Sequence, residues 1–172
     1  MISNLSLCYA SGAGTFAPMP LAYWNGVAMN DHNALAELPE WPTRTIAMLS
    51  TVDDGPHAIP VSAPVRANGR CILLSLHRER DSLARLRRRP EVALLVLAEG
   101  DIAFTARGRA RVVEEPMSVA PDYVAVAIDF EQVDDHRQAA FVVDSGAGRE
   151  WVDSSEQRAL GERVRALRSA QG

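Results

Sequence analysis

The chain has 172 residues, 47% of them hydrophobic and 23% charged, with a formal net charge of −4. That size predicts one compact domain with tails, and the composition excludes global disorder. No uncharged apolar run approaches the roughly 20 residues of a membrane-spanning helix, and the acidic balance gives no bulk reason to bind nucleic acid.

Residues 1–30 contain no Asp, Glu, Lys or Arg and are rich in Gly, Ala, Ser and Pro. They lack the basic start and continuous apolar core of a secretory signal, so residues 1–32 read as an irregular extension. Strands are expected next. Residues 45–52 are rich in β-branched side chains and end in the turn sequence Asp53-Asp54-Gly55-Pro56. Residues 57–65 read as a second strand whose prolines, Pro60 and Pro64, place it at an edge, a bulge or a ligand. Asn68-Gly69 is a hairpin turn leading into a third strand over 70–76.

The period then changes. Leu83 and Leu86, in an arginine-rich stretch ended by Pro90, predict a short helix. The apolar run 91–97 reads as a strand buried on both faces, and 102–113 as a long strand with Arg107, Arg109 and Arg111 on one side. A further strand is expected within 123–133. Asp153 and Glu156 resemble a capping box for a terminal helix whose Leu160, Val164 and Leu167 share one face. Six or seven strands with so few helices predict a mainly β, largely antiparallel barrel over residues 33–150, followed by a helical segment at 151–172.

Cys8 and Cys71 lack metal or disulfide spacing, which points to a reducing cytoplasm, and no residue set has the spacing of a metal site. All 18 basic residues are arginine, so this sequence offers no lysine base or Schiff base. Residues 77–90 hold six arginines against two acids. At a strand-to-helix junction, Arg78, Arg80, Ser75 and Ser82 could surround a phosphate, aided by the helix dipole. A solvated arginine face is the plainer reading, and it suits Arg85, Arg87, Arg88 and Arg89 better. No aromatic residue interleaves these arginines, which weakens a nucleic-acid interface. His57 and His77 sit at strand ends without a partner carboxylate fixed by spacing, and no catalytic residue is assigned. Two Gly-Ala-Gly segments lack the third glycine of a dinucleotide site. Trp151 reads as an anchor for the terminal helix, or as a ring to stack on a flat ligand.

Taken together, Leu49-Ser-Thr-Val-Asp-Asp-Gly-Pro-His57, Pro60-Val61, Ile72 to Ser75, Arg80 to Pro90, Val92-Ala-Leu-Leu95 and Gly108-Arg-Ala110 resemble the pyridoxamine 5′-phosphate oxidase-like flavin-binding split-barrel family. The likeness covers roughly residues 42–145. It implies a six-stranded split barrel, a homodimer, and FMN, or a deazaflavin coenzyme, held near the subunit interface as the cofactor of an oxidoreductase. A non-catalytic barrel carrying flavin or haem is the alternative.

By the same resemblance, backbone of Ile59, Pro60, Val61 and Ser62 contacts the ring, while Leu74, Ser75 and Arg80 lie at the phosphate. Where many members carry a lysine after that arginine, this chain has Asp81 and Ser82. Either Arg78 or an arginine of the 107–111 strand replaces it, or the cofactor is weakly held or different. The basic terminal motif of true pyridoxamine phosphate oxidases is not evident, and that activity is not assigned.

Overall fold

The computed structural model describes residues 34–170. In chain order they form β1 (Ile46–Val52), β2 (Pro56–Ser62), β3 (Val65–Asn68), β4 (Cys71–His77), α1 (Asp81–Arg88), β5 (Glu91–Ala98), β6 (Ile102–Glu114), β7 (Tyr123–Asp135) and α2 (Ser154–Ser169). The expected extension at residues 1–32 lies outside the described residues. No helix among the described residues is long and apolar enough to cross a membrane.

All seven strands belong to one antiparallel sheet in the order β2-β1-β5-β6-β7-β4-β3. The class agrees with the sequence reading; the strand count exceeds the six that the resemblance implied. The segment expected as one strand over 57–65 is divided, because Ala63 takes a φ of 52° and Pro64 cannot donate to a ladder.

That corner decides the architecture. Laid flat, seven strands about 4.8 Å apart would set β2 and β3 nearly 30 Å from each other. Ala63 and Pro64 alone join them, a reach of about 11 Å at most. The sheet must curl until its margins meet. Trp41 braces this corner: its Nε1–H donates to the Pro64 carbonyl at 3.0 Å, and its ring packs on Phe104.

Strand alternation then builds two cores. Ile72, Leu74 and Leu76 of β4 point into the barrel with Leu49, Leu94, Val96, Phe104, Val126 and Ile128. Cys71 and Leu73 point the other way, where Leu160, Val164 and Leu167 of α2 cover them. α2 starts at Asp153, whose carboxylate accepts the Ser155 N–H at 2.7 Å, satisfying one free donor of the first turn. α1 is tied to the β1–β2 hairpin instead. Arg85 reaches Asp54 at 3.1 Å and Arg88 reaches Asp53 at 2.5 Å.

Candidate functional site

β4 has strand partners on both sides over only part of its length. β3 pairs with Cys71, Ile72 and Leu73, whereas β7 follows β4 to its end, with His77 opposite Tyr123. β2, the other margin of the sheet, pairs with β1 alone among the described residues. Between the unpaired edges of β2 and upper β4 the barrel stays split, and the split is a cleft of about 570 Å³. That volume suits a small-molecule ligand, for which roughly 300–1,000 Å³ is usual.

Four consecutive β2 residues, Ile59, Pro60, Val61 and Ser62, form one wall. Ser75, Leu76 and His77 of β4 form the opposite one, with Glu79 and Arg80 from the turn into α1. Tyr123, Leu160 and Arg163 complete the lining. The tertiary structure therefore brings together six residues singled out from the sequence: Ile59, Pro60, Val61, Ser62, Ser75 and Arg80.

The other three do not line the cleft. Leu74 faces the barrel interior as Leu76 does, but it lies one pleat further from the strand end and is 1% exposed. Ser82 shares the inner face of α1 with Leu86, four residues on, and its Oγ is sealed without a hydrogen-bond partner. Arg78 is exposed, and its backbone N–H is committed to the Asp122 carbonyl at 2.8 Å.

The arginine ladder of β6 gives no replacement for the family lysine either. Arg107 pairs with Asp134 at 3.0 Å, Arg109 with Glu91 at 2.5 Å and Arg111 with Asp129 at 2.8 Å, all away from the cleft. Asp81, beside Arg80 in sequence, is no obstacle to an anion. Its carboxylate accepts from Arg85 Nε at 2.6 Å, a bond that holds it below the usual carboxylate range, and it is absent from the lining.

A second cation comes from α2. Arg163 falls on the buried stripe of that helix, between Leu160 and Val164, where periodicity alone predicts an apolar side chain. Its guanidinium carbon stands 3.9 Å from the Tyr123 ring centroid, and the Tyr123 ring meets His77 edge-on at 5.3 Å between centroids. Arg163 is 7% exposed, its Nε lacks a hydrogen-bond partner, and no carboxylate among the described residues pairs with it. A desolvated cation–π contact is worth about 2 kcal/mol, whereas burying an isolated charge costs several. Of its nitrogens, only Nε is both sealed from solvent and without a partner.

Arg80 also has no ion pair among the described residues, so the cleft carries two uncompensated arginines against one carboxylate, Glu79. His77 accepts the Glu79 N–H through Nδ1 at 3.3 Å, which fixes the turn rather than building an acid–base pair. His57 does not line the cleft, and no cluster of metal-ligating side chains occurs among the described residues.

Two other sequence candidates resolve as ordinary structure. Trp151 is neither a core anchor nor in the split. It is 37% exposed, at a separate hollow, with Arg149 stacked over it at 5.4 Å. Cys71 is sealed beneath α2; burial and then the neighbouring Asp129 push its thiol up to about 11. It is a protonated packing residue at neutral pH. In the folded protein the Cys71 peptide is expected to stay unalkylated by iodoacetamide and to react fully in urea, as read by mass spectrometry. Rapid labelling of that peptide without denaturant would contradict this burial.

Comparison with known proteins agrees with this architecture. The family description "pyridoxamine 5′-phosphate oxidase" matches residues 34–151. No curated protein matches the chain in sequence. Among solved structures, a presumptive pyridoxamine 5′-phosphate oxidase from Lactobacillus delbrueckii superposes with a TM-score of 0.50 at 18% identity, covering 59% of this chain and 98% of that one. An FAD-binding protein from Mesorhizobium loti gives a TM-score of 0.43 at 15% identity, with coverages of 52% and 81%. An F420 reductase gives 0.46 at 15% identity, with coverages of 57% and 99%. The family match takes in every strand, α1 and the β2 and β4 walls of the split; among the described elements α2, which brings Leu160 and Arg163 to the lining, lies beyond it. On that match this chain belongs to the pyridoxamine 5′-phosphate oxidase family.

Proposed function

We propose that this chain is an oxidoreductase that holds FMN, or a deazaflavin coenzyme, in the split between β2 and β4. The observation that carries the reading is the convergence of a free β-edge, a hydroxyl and an unpaired arginine on one cleft of ligand size. The donor set suits the group. Backbone at residues 59–62 is available to polar ring edges because β2 has no second strand partner among the described residues, and Pro60 removes one competing N–H. Ser75 and Arg80 offer a hydroxyl and a planar two-pronged donor to phosphate oxygens. Leu160 and Tyr123 add apolar surface to the lining.

When bound, the flavin ring would supply hydride or electron transfer, and the chain would supply binding and orientation. A homodimer belongs to the same reading. Met48, Val52 and Leu97 are exposed apolar side chains, on the adjacent strands β1 and β5. Exposed apolar side chains on neighbouring strands suit association with a second copy.

The test is a titration of purified protein with FMN, followed by flavin fluorescence and absorbance. Saturable binding is expected, weakened ten- to hundredfold by Arg80→Ala, about the worth of a charge-assisted hydrogen bond. Failure of both FMN and deazaflavin to bind at tens of micromolar ends this reading. A second reading, a flavin or haem carrier without chemistry, is favoured by the lack of a carboxylate–histidine pair among the described cleft residues. Supplying a nicotinamide reductant separates the two: turnover supports the enzyme, and binding without turnover supports the carrier.

A further inference from the structure

The second arginine of the cleft has a state that a packing role does not explain. Arg163 is more than nine-tenths buried, stacked on Tyr123, unbonded at Nε and without a carboxylate partner among the described residues. A buried guanidinium usually has an anion beside it, because desolvation penalises an isolated charge. Here the space beside it is the cleft that also presents Arg80 and Ser75.

The geometry points to Arg163 as a phosphate-binding residue of this cleft, taking the place of the family's lysine and making the site select phosphorylated flavins over riboflavin. The inference rests on the flavin reading but deepens it, since it moves part of cofactor recognition from the α1 turn to the C-terminal helix. The register supports this position. Tyr123 lies opposite His77 on the strand end that leads into the Arg80 turn, so the Arg163 stack sits beside that turn rather than at the far end of β2. Tyr123 seats the guanidinium carbon 3.9 Å from its ring centroid, and a guanidinium is a planar fork suited to two phosphate oxygens. Glu79 opposes this charge, but two arginines outweigh it.

The decisive variant is Arg163→Met, which keeps an unbranched stem against Tyr123 and removes the charge; Arg163→Lys keeps the charge and loses the plane. Dissociation constants for FMN and for riboflavin are measured by fluorescence, with melting temperatures as a check on folding. Arg163→Met is expected to weaken FMN about ten- to hundredfold and to leave riboflavin within about threefold, erasing the preference for phosphate. Arg163→Lys should fall between. Unaltered FMN binding by a folded Arg163→Met protein overturns the inference, as does an equal loss for both ligands.

A parallel arm uses inorganic phosphate alone. Phosphate should raise the melting temperature of the wild-type protein and raise that of Arg163→Met less. If flavins fail to bind but this phosphate difference remains, the anion site stands and the flavin reading falls. If phosphate shifts both proteins equally, Arg163 is a packing residue.

Discussion

Truncation of Phe104 to alanine is expected to lower the unfolding free energy by about 4 kcal/mol, within the usual range for a buried aromatic. The ring is fully buried and lies on β6 between Val96 of β5 and Asp135 of β7, near the middle of the sheet. Its loss removes apolar burial and leaves a cavity that a curled sheet cannot easily collapse. It also removes the ring that Trp41 packs against, with centroids 5.7 Å apart, and Trp41 bonds the Pro64 carbonyl at the corner joining the barrel margins. Phe104→Leu, closer in volume, should cost less than about 1.5 kcal/mol. Urea unfolding checks both through the midpoint at constant slope. A loss below about 1 kcal/mol for the alanine variant would mean that Phe104 and Trp41 do not brace the closure.

Gly108→Ala is expected to cost about 3 kcal/mol, the upper end for an overpacked site, because the obstruction is backbone. A Cβ at this position would stand 2.1 Å from the Asp129 carbonyl oxygen and 2.7 Å from Phe130 Cα. The β6–β7 ladder explains why. Arg107 pairs with Gln132 but Gly108 with Phe130, so β7 carries an extra residue and bends into β6 at this point. The close approach, rather than backbone dihedrals, requires glycine. Gly161→Ala in α2 is the control. A Cβ there meets nothing within 4 Å, and helix propensity should raise stability by up to about 1 kcal/mol. Thermal melts of the two variants should therefore move in opposite directions; similar small shifts for both would refute the close contact.

If Arg163 binds phosphate, the cleft draws its second cation from α2 without changing the barrel. The positions after Arg80 are then free for other uses. Asp81 neutralises Arg85 across one helical turn, and Arg85 in turn holds the β1–β2 hairpin through Asp54 and the Gly55 carbonyl. The same short segment thus offers Arg80 to the cleft and fastens α1 to the wall that carries Ile59 and Pro60. Removing Arg85 is consequently a structural change, whereas removing Arg80 or Arg163 changes charge at the cleft.

The sequence by itself determined the strand and helix types, because the apolar runs of β4 and β5, the alternation on β6 and β7 and the 3.6-residue stripe on α2 are local properties of the chain; β5, expected to be buried on both faces, exposes Leu97. The turn sequences set the hairpins, and the ordered motifs identified the family. Ile59, Pro60, Val61, Ser62, Ser75 and Arg80 were legible as a set from that order. Only the tertiary structure decided where the sheet closes, since the bend at Ala63 and Pro64 gains its meaning from the distance between two margins. It alone removed Leu74 from the cleft lining, by burial in the barrel, and Ser82, by helix phase. It alone brought Arg163 to Tyr123, forty positions away in sequence. The physical reason is that hydrophobic periodicity reports which face of an element is covered but carries no information about the charge that covers a distant ring.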